Sequence, residues 1–110
     1  MLTKILCAAL AGGAILLALF GRRCSGCHAL DLNKEGPRLR GVYGRQAASA
    51  PDFVYSDALK KMDIRWDDQS LDRWLSNPDA MAPDTDMAFR LANEEERKVV
   101  IAYLKSLGNQ

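Results

Sequence analysis

The sequence predicts an all-α domain in which short helices are joined by long ordered loops. Apolar residues recur at helical spacing in residues 71–75 and 99–107, and no segment shows the alternating pattern of a strand. Residues 29–56 and 78–92 show no sustained period and are predicted to be loops. Such loops are uncommon in a compact domain, so we expect a large buried cofactor to organise them.

Size and charge limit the classes of function. The chain has 110 residues, 48% apolar and 26% charged, which fits one globular domain rather than a disordered, fibrous or polytopic membrane protein. A core of this size commonly needs a cofactor and leaves little room for a deep substrate pocket. Residues 1–48 hold seven basic and two acidic side chains, whereas residues 49–110 hold eight basic and twelve acidic ones. We therefore expect no nucleic-acid partner, since nucleic-acid binders carry a basic domain.

Residues 5–20 form an uncharged apolar run that follows Lys4. As a helix this run would span about 24 Å, less than a hydrocarbon core of about 30 Å, and it slightly exceeds a usual signal core. It fits a cleaved signal, a short uncleaved anchor or a signal merged with the first helix. We expect residues 1–21 to direct export to the periplasm, either removed or kept as a membrane anchor through residues 5–20. Residues 20–110 would form the domain.

The first two predicted helices of the domain have recognisable ends. Ser56 is predicted to cap a helix that ends near Met62. A second helix is predicted over residues 67–76 and carries three apolar residues on one face. Asn77 ends this helix because Pro78 disfavours the α conformation of the residue before it.

The last predicted helix has the clearest boundaries. Asn93 is a suitable N-cap, and the three glutamates after it complement the partial positive charge of a helix N-terminus. Apolar residues then recur at helical spacing until Gly108, a residue that commonly ends helices.

Cys24, Cys27 and His28 form a Cys-x-x-Cys-His unit that contains the only histidine of the chain. The spacing lets both sulfurs form thioethers with one porphyrin edge while the adjacent imidazole binds the iron. A structural zinc ion would need further Cys or His ligands, and the apolar N-terminus holds only Cys7. A redox dithiol would need a βαβ context. The unit therefore predicts one covalently bound haem c, with zinc and dithiol chemistry as alternatives.

A second iron ligand from the protein would be a methionine downstream of His28, and the candidates are Met62, Met81 and Met87. Methionine is usually core filler, which suits Met62 on its predicted helix. Met81 and Met87 lie in the predicted loop, where an apolar side chain has less reason to be. The residue pattern alone leaves both open.

Further motifs follow the Cys-x-x-Cys-His unit in a defined order. They are Gly-Pro-Arg-Leu-Arg-Gly at 36–41, Phe-Val-Tyr-Ser-Asp-Ala at 53–58, Ile-Arg-Trp at 64–66, Leu-Ser-Asn-Pro at 75–78, Pro-Asp-Thr-Asp-Met-Ala-Phe at 83–89 and Ile-Ala-Tyr-Leu-Lys at 101–105. Over residues 20–107 the chain thus resembles the class I cytochromes c, particularly the mitochondrial-type carriers and their bacterial relatives. The resemblance implies the small cytochrome c fold, in which helices and long loops surround one covalent haem.

The resemblance also implies a role for each matching residue. Cys24 and Cys27 would hold the haem, and His28 and Met87 would bind its iron. The carbonyl of Pro37 would accept a hydrogen bond from the second imidazole nitrogen. The remaining matches are Arg45, Tyr55, Trp66 and Thr85 around buried propionates, Phe89 beside the haem edge, and Phe20, which would pack against Tyr103.

Several positions depart from the family pattern. Leu16 replaces a glycine at the crossing of the first and last helices, and Asp84 replaces a glycine in the methionine loop. Trp74 stands where a tyrosine often lies near the methionine sulfur, which predicts the loss of a hydroxyl donor. Asp79 and Asp86 occupy positions that are often lysine, so an acidic docking site on the partner is not implied.

The expected function is electron transfer by a haem c with His/Met ligation, which passes single electrons between redox proteins. We expect a monomer that is not an enzyme. One alternative is a haem protein with a labile Met87 that admits peroxide or small ligands. The other is a membrane-tethered subunit of a larger redox complex, anchored through residues 5–20.

Overall fold

The structure, a computed structural model, describes residues 18–108. Residues 18–23 form an N-terminal helical segment. Four helices follow in the described part: α1 (Asp57–Lys60), α2 (Asp68–Ser76), α3 (Pro78–Met81) and α4 (Glu94–Leu107). The sole β pairing among these residues is an isolated bridge between Gln46 and Arg65, so the predicted all-α class is confirmed.

The predicted apolar leader lies largely outside the described residues, which begin at residue 18. Within residues 18–108, no helix combines the length and the apolar character needed to cross a membrane.

Side-chain caps determine where α1 and α2 begin. The hydroxyl of Ser56 accepts a hydrogen bond from the Leu59 amide at 3.3 Å, and α1 ends two residues before the predicted Met62. At α2, the Asp67 carboxylate accepts from the Ser70 amide at 2.8 Å, while the Ser70 hydroxyl accepts from the Asp67 amide at 2.8 Å. This reciprocal capping box satisfies two helix-end donors, and the helix begins where the sequence predicts.

The prediction of a continuous loop over residues 78–92 was wrong in its first turn. Residues Pro78–Met81 form α3, and the Ala82 amide donates to the Pro78 carbonyl at 2.9 Å. Proline suits the first position of a helix because its φ is preset and no amide donor is needed there. Pro78, which disfavours a helical Asn77 at the end of α2, is therefore also the first residue of α3.

The core forms where the N-terminal helical segment and α2 pack against α4. The rings of Phe20 and Tyr103 lie 5.2 Å apart with an interplanar angle of 52°, as the resemblance implies. Arg23 adds an ion pair with Glu96 of α4, with 3.3 Å between Nε and Oε1. The buried side chains of this packing are Leu19, Phe20, Leu71, Trp74, Leu75, Val100, Ile101 and Leu104.

The loop between residues 28 and 56 folds back on the segment before α2. The Trp66 amide donates to the Arg45 carbonyl at 3.0 Å, and the Ala47 amide donates to the Ile64 carbonyl at 2.9 Å. Gly44 adopts φ of 85°, a conformation that favours glycine, and its amide donates to the Trp66 carbonyl. These bonds build one wall of an internal cavity.

Candidate cofactor site

A cavity of about 450 Å³ lies among the Cys-x-x-Cys-His turn, the long loop, α2 and the segment after α3. Its volume is that of a typical cofactor pocket. The ten residues to which the resemblance assigns haem binding all line this cavity, although they are spread over 66 positions of the chain. They are Cys24, Cys27, His28, Pro37, Arg45, Tyr55, Trp66, Thr85, Met87 and Phe89.

The two cysteines are presented by a tight turn at the end of the N-terminal helical segment. The amides of Cys27 and His28 both donate to the Cys24 carbonyl, at 3.1 and 2.9 Å. Both thiols are free, and burial raises the pKa of the Cys24 thiol to about 11. Cys27 is exposed and its thiol donates to Oε2 of Glu35 at 3.4 Å, which raises the pKa of Cys27. One turn thus presents both sulfurs at the cavity.

His28 is held in the orientation that a metal-binding imidazole needs. Its Nδ1 lies 2.8 Å from the Pro37 carbonyl oxygen. A carbonyl only accepts hydrogen bonds, so Nδ1 carries the proton and the lone pair is on Nε2. Burial lowers the pKa of His28, which favours the neutral ring. Gly36 packs against this ring so closely that a Cβ there would lie 2.6 Å from Nδ1.

Met87 faces the cavity with a hydrogen-bonded sulfur. The indole Nε1 of Trp74 donates to its Sδ at 3.1 Å. Among residues 18–108, Met87 is the one methionine that lines the cavity, whereas Met62 and Met81 pack against the apolar core. Trp74 brings no hydroxyl to this site, as expected, but its indole N–H donates to the sulfur instead. The sequence shows that Trp74 carries an N–H donor, and the structure shows that this donor points at the sulfur.

One part of the cavity wall is polar and lacks a counter-charge. The Arg45 guanidinium donates from Nη2 to the Arg38 carbonyl at 3.1 Å, but its buried Nε has no partner among the described residues. Burial lowers the pKa of Arg45. The hydroxyl of Tyr55 accepts from the Ala50 amide at 2.9 Å and keeps its own proton to donate. A buried guanidinium is stable only beside an anion, and the carboxylates of a haem would provide one.

The remaining predicted residues border the same space. Thr85 lies two residues before Met87, and its hydroxyl accepts a long hydrogen bond of 3.5 Å from the Met87 amide. Trp66 is buried and meets Trp74 edge-on, with 5.5 Å between ring centroids. Phe89 is 37% exposed. All three side chains thus border the cavity.

Sequence reasoning missed two groups of lining residues. Glu35 stands eight residues after Cys27 in a loop without a period, so no pattern connected the two side chains. The apolar wall comes from helix residues that the periodicity marked only as core. They are Leu71, Leu75, Val100 and Leu104.

The donor set fits a haem c. Two thiols and an imidazole come from one turn, and the thioether of Met87 faces the same cavity. The buried Nε of Arg45 has no partner among the described residues and could bind an anion. The wall between these groups is largely apolar, as a porphyrin requires.

Comparison with known proteins agrees with this fit. The model of the cytochrome c family matches residues 17–108. The chain is similar to cytochrome c of Euglena viridis, with 41% identity over 92 residues that cover 81% of this chain and 90% of that protein. It is similar to cytochrome c2 iso-2 of Magnetospirillum fulvum, with 40% identity over 87 residues that cover 76% of this chain and 91% of that protein.

A solved structure is similar as well. Cytochrome cH from Methylobacterium extorquens superposes with a TM-score of 0.78 and is 37% identical in sequence. The superposition covers 84% of this chain and 96% of that one, so the likeness extends over nearly the whole of the solved chain.

Proposed function

The chain belongs to the cytochrome c family, and on that premise we propose that His28 and Met87 are the axial ligands of its haem iron. Proteins of this family carry one covalently bound haem c and are electron carriers rather than enzymes. The chain is therefore a haem electron carrier that exchanges electrons with redox partner proteins.

The observation that carries the ligand assignment is that His28 and Met87 line one cavity in a state ready to bind. The Pro37 carbonyl leaves Nε2 of His28 free for the metal, and Trp74 holds the Met87 sulfur. When bound, the haem iron gains and loses one electron. A Met/His ligand pair raises its reduction potential relative to other ligand sets.

The other cavity residues would hold the porphyrin. Cys24 and Cys27 would bond to it covalently, and Phe89 would lie at its edge. Arg45 would supply the positive charge that the porphyrin carboxylates need. The Nε of Arg45 is available for this role because it lacks a protein partner among the described residues. Tyr55, Trp66 and Thr85 would complete the environment of those carboxylates.

The location and the assembly state are proposed on the basis of the sequence. We propose that residues 1–21 direct export and that residues 20–110 act in the periplasm as a monomer. The apolar run over residues 5–20 supports export, and covalent haem attachment to Cys24 and Cys27 fits a chain matured after translocation. No nucleic acid is expected among its partners.

Optical spectra of the protein, produced with a cytochrome c assembly system, test the proposal. We expect haem to remain attached in denaturing electrophoresis, and the oxidised protein to show the long-wavelength Met–Fe(III) charge-transfer band. Met87→Ala should keep the covalent haem, lose the band and lower the potential. Met81→Ala is the matched control, because Met81 lies outside the cavity and should leave the band intact. The reverse pattern would refute the ligand assignment.

A haem protein with a labile Met87 is the second candidate. The observation in its favour is the left-handed backbone of Asp84, with φ of 61°, three residues before Met87. Carbon monoxide titration of the reduced protein separates the two, since a carrier with firmly bound Met87 resists the ligand at neutral pH. The membrane-tethered alternative depends on residues 5–20, and the mass of the mature N-terminus decides it.

A further inference from the structure

Met87 lies on the connection between α3 and α4, and the two ends of this connection are firmly tied. At its start, Ala82 is buried and its amide donates to the Pro78 carbonyl at 2.9 Å. Near its end, the Leu91 amide donates to the Leu75 carbonyl of α2 at 2.7 Å. The contacts that fix the residues between Ala82 and Leu91 therefore determine how firmly the Met87 side chain is held at the cavity.

The middle of the connection contains an unfavourable backbone conformation. Asp84 adopts φ of 61°, the left-handed region that L residues other than glycine seldom occupy. Aspartate tolerates this region better than most residues, but it does not favour it. The turn at Asp84 therefore needs a contact that holds it.

Asp79 provides that contact from α3. Its Oδ1 accepts a hydrogen bond from the Asp84 amide at 2.9 Å. A bond from an amide to a carboxylate is charge-assisted and stronger than a neutral one. The backbone of Asp79 is held in place because the preceding residue, Pro78, is buried at the start of α3. The following turn is continued by the Thr85 amide, which donates to the Ala82 carbonyl at 3.0 Å.

We propose that Asp79 is a positioning residue for Met87. Its carboxylate holds the left-handed turn at Asp84, and this turn sets the direction in which the chain carries Met87 towards the cavity. Trp74 steadies the same side chain from α2 through its bond to the sulfur. The inference rests on the proposed ligation by Met87 and concerns how long the sulfur stays on the iron. The side chains of Asp79 and Asp84 are both exposed, so a change at Asp79 should affect this turn without disturbing the core.

Imidazole binding to the oxidised protein measures this directly, since imidazole can take the iron only after Met87 leaves it. Asp79→Ala should raise the observed binding rate by about tenfold, as expected when a charge-assisted hydrogen bond is lost. It should also weaken the Met–Fe(III) charge-transfer band. Asp79→Asn keeps an acceptor oxygen and should remain within about threefold of the unmodified protein.

Asp84→Asn is the control for charge. It removes one negative charge from the same connection but keeps the amide donor and a side chain that tolerates the left-handed region. Equal rates for Asp79→Ala and Asp84→Asn, or an unchanged rate for Asp79→Ala, would overturn the role of Asp79. Absence of the charge-transfer band in the unmodified protein would instead overturn ligation by Met87, and this inference with it.

Amide hydrogen exchange supplies a second readout that does not depend on the ligand. The Asp84 amide should exchange faster in Asp79→Ala, while the Leu91 amide, which donates to Leu75, should not change. Uniform acceleration of both amides would indicate general destabilisation and would count against a positioning role.

Discussion

The indole Nε1 of Trp74 donates a hydrogen bond to Sδ of Met87 over 3.1 Å, which links α2 to the connection that follows α3. Trp74 is buried, so core packing around its indole ring fixes the position of the N–H donor. A donor on a thioether draws electron density from the sulfur and makes it a poorer ligand for oxidised iron. With Met87 as the proposed iron ligand, this arrangement would favour the reduced state of the haem.

Trp74→Phe should lower the reduction potential, because the sulfur then stabilises the oxidised iron better. The expected change is on the order of 40 mV, which corresponds to one ordinary hydrogen bond of about 1 kcal/mol. Redox titration measures it. Leu71→Ala is the control, since it removes buried lining volume without touching a hydrogen bond. A similar drop in both variants would attribute the effect to packing.

Gly36→Ala should displace the His28 imidazole and reduce the yield of matured protein. The added Cβ would lie 2.6 Å from Nδ1 and 2.8 Å from Nε2, so the ring must move away from the Pro37 carbonyl. Gly26→Ala is matched to it, since no atom lies within 4 Å of a Cβ there. Haem absorbance per mole of protein gives the readout. Equal yields would show that the close approach at Gly36 is not needed.

Arg97→Met should destabilise the domain by about 2–4 kcal/mol, since it breaks a half-buried charge pair. Arg97 Nε lies 2.7 Å from the Asp72 carboxylate, and Nη1 donates to the Leu91 and Ala92 carbonyls. Lys98→Met removes only exposed ion pairs and should cost no more than about 1 kcal/mol. Denaturant unfolding of both variants makes the comparison. A cost at Lys98 as large as that at Arg97 would contradict this account.

Ala48→Gly should stabilise the protein by about 0.5–1 kcal/mol. Ala48 adopts φ of 58°, and the relief of about 1–2 kcal/mol outweighs the entropy that glycine adds to the unfolded chain. The same change at Ala102, an exposed residue within α4, should destabilise by about 1 kcal/mol. Thermal unfolding tests both. Destabilisation at both positions would show that the left-handed backbone at Ala48 costs little.

Asp86→Lys should change how the reduced protein reacts with charged oxidants. Asp86 is exposed at the cavity, so a positive charge there repels a cationic metal complex and attracts an anionic one. At low salt we expect about fivefold slower oxidation by the cation and faster oxidation by the anion. Stopped-flow measurements should show both changes shrinking at high salt. Asp63→Lys, at a residue that does not line the cavity, should have a smaller effect.

Local chemistry explains which features could be predicted. The turn that holds Cys24 and Cys27 is a short-range unit, and the capping residues Asp67 and Asn93 act within four residues. The sequence therefore predicted the starts of α2 and α4 and the cofactor. Helix α3 was not predicted, because Pro78 signals the end of α2 and is also the first residue of α3.

Long-range contacts were harder to predict. The approach of Glu35 to Cys27 and of Asp79 to Asp84 depends on how irregular segments turn, and no residue period reports that. For Trp74 the position was expected near the sulfur, but the direction of its N–H could come only from the packed structure.

The contact between the rings of Phe20 and Tyr103 has a consequence for biosynthesis. The two rings are separated by 83 positions, so a chain emerging from a ribosome cannot form this contact until α4 has been translated. The first half of the domain alone lacks the partner that buries Leu19 and Phe20. A chain that ends before α4 therefore leaves Leu19 and Phe20 without this cover, next to the turn that holds Cys24 and Cys27.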